Sequence, residues 1–217
     1  MIKVEAIEKS YNAEKVLKKV SLEIGKGDFV SIMGESGSGK STLLGIIGGY
    51  VPADGGKVYI DGKDISALSE RELAELRSGL MGFVFQSYAL IPTLTIRDNV
   101  LLTATLGKRL NAETYQYADR LIDRLGLREM LEKYPHQLSG GQCQRAAIVR
   151  ALVYRPSLVI LDEPTGALDS GTETVVMELL AEVNRELGTT IVQVTHSERV
   201  AAYAGRIVRL VDGEIGV

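Results

Sequence analysis

A glycine-rich segment has the composition and spacing of a phosphate-binding loop. It reads Gly34-Glu35-Ser36-Gly37-Ser38-Gly39-Lys40-Ser41, and Thr42 begins the helical pattern after it. Glycines let the backbone wrap around phosphates with N–H groups pointing inward, where a helix N-terminus adds positive potential. We predict that residues 34–42 bind a nucleotide, with Lys40 on the β- and γ-phosphates and the Ser41 hydroxyl on Mg²⁺. The alternative, a plain glycine-rich turn, is disfavoured by the strand and helix patterns beside it.

An apolar run that ends in two acids supplies a second part of such a site. Leu158–Leu161 reads as a buried strand, and Asp162 and Glu163 follow it. Parallel strands end at one edge of a sheet, which would place both acids beside the phosphate loop. Side chains alternate along a strand, so the two acids take different roles. We assign Mg²⁺ binding to Asp162 and activation of water, as general base, to Glu163; a solvated strand end is the alternative.

A second anion-binding segment lies far from the first in sequence. Residues 138–142 read Leu-Ser-Gly-Gly-Gln, and Ser139 is suited to cap a helix from Gln142 to about Val153. Ser139 and the N–H groups of Gly140 and Gly141 would form a second cradle for an anion. Two cradles for a γ-phosphate with one magnesium site suggest that the second serves the nucleotide of another subunit.

These segments need a scaffold that brings them together, and the patterning predicts an α/β fold. Three short apolar runs read as buried parallel strands, each leading into a turn and a helical pattern: Phe29–Met33, Leu158–Leu161 and Ile191–Val194. Antiparallel strands are predicted near the N-terminus, with hairpins around two Asp-Gly turns: Ile2–Ile7, Val16–Ile24, Asp61-Gly62 and Asp212-Gly213.

The stretch from about residue 88 to residue 151 differs from its surroundings. Its apolar residues follow a helical period and it contains few strand signals. We predict a helical lobe inserted into the sheet region, with residues 1–217 forming one domain. The charged segment Ser69–Arg77 is predicted to be a solvated amphipathic helix without a functional role.

Composition limits the classes of partner. The chain has 217 residues, a net charge of −3 and one cysteine. The charge gives no reason to bind nucleic acid, and one cysteine excludes an internal disulfide and suits a reducing cytosol. No run of about 18 apolar residues occurs, so any membrane role would be played through a partner.

Taken in order, these motifs make the chain resemble the ABC ATPase family. The resemblance implies a P-loop ABC ATPase fold with a mainly parallel core sheet, an N-terminal antiparallel β subdomain and an inserted α-helical subdomain. It also assigns each motif a role. The assignments are Tyr11 as the aromatic that stacks on adenine, residues 34–41 as the Walker A loop, Gln86 as the Q-loop glutamine on Mg²⁺ or water, residues 138–142 as the LSGGQ signature, residues 158–163 as the Walker B strand, residues 167–169 as the D-loop, and His196 as the switch histidine on the γ-phosphate.

The resemblance further implies a mechanism and a location. Two copies would meet head to tail, each ATP lying between Walker A of one and the signature of the other. Closure on ATP would pull on an integral membrane permease, which would hold the chain at the cytoplasmic face of the cell membrane. Gly166 within residues 163–169, and Phe85-Gln86 followed by residues 90–95, resemble the macrolide-exporter and lipoprotein-release group. We therefore expect export or extraction of a peptide, lipoprotein or drug-like substrate.

Several alternatives remain open from sequence. An ATPase of the cell-division type, which transmits force or a signal through a membrane protein without transport, would look nearly identical. Soluble ABC proteins of DNA repair or translation are disfavoured, since the chain has neither a coiled-coil insertion nor a second ATPase domain. Tyr11 and His196 could be structural residues, and His136 reads as a surface residue. Cys143 is either a modifiable thiol or a tolerated small side chain.

Overall fold

The order of strands and helices follows the α/β pattern read from the sequence. The computed structural model describes residues 1–12 and 14–216. The strands in this part of the chain are β1 (Ile2–Tyr11), β2 (Glu14–Ile24), β3 (Phe29–Met33), β4 (Gly55–Ile60), β5 (Lys63–Asp64), β6 (Met81–Val84), β7 (Leu158–Asp162), β8 (Thr190–Val194), β9 (Arg206–Val211) and β10 (Glu214–Ile215). The α-helices are α1 (Lys40–Ile47), α2 (Glu70–Leu80), α3 (Ile96–Leu106), α4 (Ala112–Arg124), α5 (Gly140–Leu152), α6 (Ser170–Leu187) and α7 (Glu198–Ala201).

The larger sheet is mainly parallel and has the strand order β10-β9-β3-β8-β7-β6. Only β10 runs antiparallel to its neighbour, β9. The three predicted parallel strands, β3, β7 and β8, are adjacent, and their carboxyl ends meet at one edge. Strand β6 was not predicted; it begins at Met81, directly after the last residue of α2, and the turn-type residues Ser78 and Gly79 lie inside that helix.

The N-terminal sheet is antiparallel, as predicted, with the order β2-β1-β4-β5. Both Asp-Gly hairpins are present. Asp61 and Gly62 have φ of 48° and 79°, and Asp212 and Gly213 have φ of 49° and 79°. A two-residue hairpin turn of this kind requires positive φ at both positions, which Asp and Gly tolerate best.

The larger sheet has a buried layer on each face. In β7, Val159 and Leu161 pack into a cluster with helices α3 to α6. Leu158 and Ile160 point the other way, into a cluster with α1 and the N-terminal sheet. This alternation explains why the strand is a continuous apolar run: both of its faces are covered.

Helices dominate the segment between β6 and β7. Helices α3, α4 and α5 begin after the capping residues Thr95, Asn111 and Ser139, whose side chains each accept a backbone N–H. Helix α5 starts at Gly140, two residues before the predicted Gln142, because the cap is Ser139 itself. The predicted fold class is confirmed by this arrangement of sheets and helices. Among the described residues, no helix combines the length and apolar character needed to cross a membrane.

Candidate nucleotide site

The phosphate loop lies between β3 and α1, and its glycines are required by close backbone contacts. Gly37 and Gly39 have φ of 82° and 98°, which favours glycine. A Cβ on Gly34 would lie 2.1 Å from the carbonyl oxygen of Leu210, so no side chain fits there. Gly39 caps α1 without a side chain, and the first N–H groups of that helix are thus available to an anion.

Lys40 is folded against this loop. Its ammonium donates to the carbonyl oxygens of Gly34 at 2.9 Å and Glu35 at 2.6 Å. The side chain is buried, and these hydrogen bonds to the loop replace the water that would otherwise surround the ammonium. The cation is therefore held at the place where the loop would surround a phosphate chain.

Asp162 and Ser41 meet across the edge of the sheet. The Ser41 hydroxyl donates to Asp162 Oδ1 at 3.0 Å, joining the last residue of β7 to the first turn of α1. Burial raises the pKa of Asp162 above its ordinary 3.8, and the Ser41 hydrogen bond opposes that rise. A partly buried carboxylate beside a hydroxyl is a fitting pair of oxygen ligands for a cation.

Glu163 lies just after the end of β7 and has different contacts from Asp162. It adopts a left-handed conformation with φ of 50°, and its N–H donates to Val194 O at 3.1 Å. Its Oε1 lies 2.9 Å from Nδ1 of His196, which follows β8. The predicted general base and the predicted switch histidine are thus in direct contact, although far apart in sequence.

One cleft of about 950 Å³ brings most of the predicted residues together. Tyr11, at the end of β1, has 46% of its surface exposed and lies at this cleft with its ring below the Lys9 ammonium, 5.4 Å from it. Gln86, two residues after β6, is exposed on another wall. The predicted residues that line the cleft are Tyr11, Ser36, Gly37, Gly39, Lys40, Ser41, Thr42, Gln86, Glu163 and His196.

Residues 139–142, the predicted second anion cradle, do not line this cleft. Ser139 Oγ accepts the Gln142 N–H at 3.3 Å, while the Ser139 N–H donates to Gln142 Oε1 at 2.8 Å, a reciprocal cap for α5. A Cβ on Gly141 would lie 3.0 Å from Ala167 O and 3.3 Å from the Leu168 side chain, so this turn packs closely on the predicted D-loop, residues 167–169, at these two residues. In that segment, Asp169 caps α6 by accepting the N–H groups of Gly171 and Thr172 at 3.0 Å.

Sequence reasoning missed several residues of the cleft. Tyr88 and Gln144 line it, as do Glu14, Val16 and Val194; Gly166 and Ala167 also line it, and they had been noted only as a subgroup marker and as part of the D-loop. Gln144 is buried, and its amide nitrogen has no hydrogen-bond partner among residues 1–12 and 14–216. The sequence offered no signal for Gln144, because it lies near Gln142 and Arg145 in the polar first half of α5 and its direction depends on how α5 packs.

The two remaining candidates behave as ordinary residues. Cys143 is buried, with Sγ 3.5 Å from Pro135 O, and burial raises the pKa of its thiol. His136 is exposed and stacks on Tyr134 with ring centroids 5.9 Å apart.

The site fits a nucleotide with Mg²⁺. The loop offers a glycine cradle, a helix N-terminus and a buried ammonium, which together suit a polyphosphate. Ser41 and Asp162 supply two hard oxygen ligands, too few to enclose a cation alone. Mg²⁺ commonly binds through one or two protein oxygens together with phosphate oxygens and water, so the donor set matches that ion.

Fold and cleft define a nucleotide-binding protein of the phosphate-loop class. The ABC transporter family profile matches residues 17–166. The chain belongs to the ABC transporter family, as the signature, the phosphate loop and the acidic strand end together predict.

Similar proteins cover the whole of the described fold. The macrolide export ATP-binding/permease protein MacB of Aggregatibacter actinomycetemcomitans is 47% identical over 94% of this chain, which spans only 32% of that relative. Lipoprotein-releasing system ATP-binding protein LolD 1 of Rhodopseudomonas palustris is 44% identical, over 99% of this chain and 98% of its own length. A dimeric post-hydrolysis structure of the ATP-binding cassette MJ0796 with ADP and Pi superposes with a TM-score of 0.95 at 42% identity, covering 100% of this chain and 97% of that one.

Proposed function

We propose that this chain binds ATP with Mg²⁺ in the cleft and hydrolyses it as the ATP-binding subunit of an ABC transporter. The observation that carries the proposal is the pair of contacts at one sheet edge. Ser41 meets Asp162 at 3.0 Å and Glu163 meets His196 at 2.9 Å, so metal ligands and water-activating groups lie side by side.

Different residues of the cleft bind different parts of the nucleotide. Tyr11 stacks on adenine, as its exposed ring at the cleft allows. Lys40 and the N–H groups of the loop hold the phosphates. Ser41, Asp162 and Gln86 would hold Mg²⁺, which would neutralise charge on the phosphate oxygens.

Glu163 accepts a proton from the water that attacks the γ-phosphorus, as a general base. His196 holds the carboxylate of Glu163 through Nδ1, which leaves Nε2 available for the γ-phosphate. The breakage of the β–γ bridging bond then releases phosphate and ADP. The two side chains act as a unit, because each orients the other.

The second anion cradle serves another copy of the chain. Ser139, Gly140, Gly141 and Gln142 lie outside the cleft of their own chain, which suits contact with a nucleotide held by a partner. We propose a head-to-tail dimer that closes on ATP. Within each copy, residues 1–217 form one domain and residues 88–151 form its helical subdomain.

The cycle of ATP binding, dimer closure and hydrolysis drives transport. The relatives are named for macrolide export and lipoprotein release, which supports export or extraction of a drug-like, lipoprotein or peptide substrate over a force-transmitting role without transport. An integral membrane permease would hold the chain at the cytoplasmic face of the membrane, with no role for nucleic acid.

The substitution Glu163→Gln tests this function. We expect ATP turnover to fall by roughly 10²- to 10⁴-fold, because the amide cannot accept the proton of water. ATP binding should persist and trap a dimer, measured by light scattering with MgATP. The matched control is Glu178→Gln on the exposed face of α6, which should hydrolyse ATP like the wild type. Full turnover in Glu163→Gln would refute the assignment.

A further inference from the structure

The loop that carries Gln86, residues 85–95, leaves β6 in a conformation that needs support from outside. Tyr88 and Ala89 have left-handed backbones with φ of 63° and 48°. Residues with a Cβ disfavour this region because of steric crowding against the backbone. The Tyr88 N–H donates to Phe85 O at 2.9 Å, which closes a tight turn but reaches no neighbouring element.

Arg150, on α5, provides an external contact at the two left-handed residues. Its guanidinium donates to Ala89 O at 2.5 Å and to Tyr88 O at 2.7 Å, the carbonyls of the two left-handed residues. A planar guanidinium can hold two such acceptors at once, which an ammonium cannot do with the same geometry.

The Arg150 side chain is an unusual choice for this place. Only 7% of the residue is exposed, and no described carboxylate forms an ion pair with it. Burial accordingly lowers the pKa of Arg150 from its ordinary value. A buried cation is unfavourable without compensating hydrogen bonds, and here the compensation comes from the loop carbonyls. The contact therefore stabilises both the left-handed backbone of the loop and the buried position of the guanidinium.

The same loop also touches the other end of α5. The Tyr88 hydroxyl lies so close to Gly140 that a Cβ there would approach it to 2.8 Å. Gly140 belongs to the second anion cradle and begins α5, whereas Arg150 lies near the end of that helix. A well-buried helix moves as a unit, so a shift of the cradle would be passed to the loop.

We propose that Arg150 is a positioning residue for Gln86, tying the Gln86 loop to α5 so that the cradle and the cleft of one chain are mechanically linked. The inference rests on the proposed function, in which Gln86 acts on bound MgATP. Contact of residues 139–142 with a partner's nucleotide then sets where Gln86 stands in the cleft of its own chain. Arg150 does not itself line the cleft, and it contacts the cleft wall through the Tyr88 backbone carbonyl.

Three variants of the full chain separate this role from a general loss of stability. Arg150→Met removes the charge and keeps a side chain of similar length. Arg150→Lys keeps the charge but lacks the planar guanidinium that holds both carbonyl oxygens. The matched control is Arg145→Met, on the same helix, whose guanidinium lies beside Gly126 instead of the loop. Urea unfolding checks that each variant is folded.

Hydrogen exchange gives a readout independent of ATP. The amides of Tyr88 and Ala89 should exchange about tenfold faster or more in Arg150→Met, since bonds to a charged donor are among the stronger ones. The Ile91 amide is held separately by Asn99 Oδ1 at 2.7 Å and should change less. Arg145→Met should leave all three amides at wild-type rates, and Arg150→Lys should fall between.

Turnover supplies the second readout. If the wild type hydrolyses ATP, kcat should fall about tenfold in Arg150→Met, while KM for ATP should change by less than about threefold. The two constants should differ because Gln86 acts on the reacting groups and not on the adenine ring. Partial recovery in Arg150→Lys is expected. Unchanged loop exchange in Arg150→Met would overturn the proposal, and so would faster exchange with wild-type kcat. An inactive wild type would instead refute the proposed function, and loop exchange alone would then decide whether Arg150 holds the loop.

Discussion

Cys143 shows at the scale of one residue how burial decides between two interpretations of a motif. It lies inside α5, directly after Gln142, which forms the reciprocal cap of this helix with Ser139. A modified thiol at this position would interfere with the proposed nucleotide contacts. Its side chain is buried against Pro135, and burial raises the pKa of its thiol above 9.0. Only the thiolate is nucleophilic, so a raised pKa means a smaller reactive fraction at neutral pH.

We predict that the folded chain reacts with a disulfide reagent such as DTNB at least about tenfold more slowly at pH 8 than the same chain in guanidinium. The native rate should rise with pH through a midpoint above that of the unfolded chain, because the raised pKa delays ionisation. The single cysteine makes the stoichiometry of release unambiguous. A native rate equal to the unfolded rate would mean that the thiol is exposed and modifiable.

At the scale of elements, two helix caps of the same type allow the effect of a cap on stability to be distinguished from its effect on binding. Helices α2 and α5 both begin with a serine in a reciprocal cap, Ser69 with Glu72 and Ser139 with Gln142. The first cap belongs to a solvated helix away from the cleft, and the second forms the predicted anion cradle. The same local chemistry thus occurs once in a helix with no proposed role in binding and once where we propose that it also binds an anion.

We predict that Ser69→Ala and Ser139→Ala each lower the free energy of unfolding by about 1 kcal/mol, the usual effect of losing an N-cap. Urea unfolding should show this as a lower midpoint with an unchanged m value. Only Ser139→Ala should also reduce ATP turnover. Equal turnover in the two variants would contradict a binding role for Ser139.

Sequence patterns predicted elements well where a motif carried a local signal. Asp-Gly turns located both hairpins, and the apolar runs located β3, β7 and β8. Strand β6 was missed because it is only four residues long and starts at the residue after α2, with Gly79 inside the helix and Gly82 inside the strand. The contact of Arg150 with Tyr88 and Ala89 was also beyond prediction, since it depends on how α5 packs against a loop and not on any spacing.

The site follows the same division. Gly34–Thr42, Asp162 and Glu163 were assigned from residue chemistry, and the structure places them at one sheet edge. Gln86 and His196 were assigned only by resemblance, because a lone glutamine or histidine has no distinctive spacing. Gln144 was missed altogether, although it is buried beside the cleft.

At the scale of the whole molecule, the separation of the two anion sites allows a test of the head-to-tail dimer by complementation. Lys40→Met should disable the cleft. Ser139→Asp should disable the second cradle alone, because Asp still caps a helix but its carboxylate repels phosphate. Each variant by itself should show little turnover, since both sites of its dimer contain the defect.

Mixing the two variants should restore activity if each nucleotide lies between two chains. In a mixed dimer one site receives both defects, while the other combines an intact cleft from Ser139→Asp with an intact cradle from Lys40→Met. With random pairing half the dimers are mixed, so about a quarter of wild-type turnover is expected if sites act independently. A chain that uses its own cradle would gain nothing from mixing. Recovery should also rise with total protein concentration, because the intact site forms only on association.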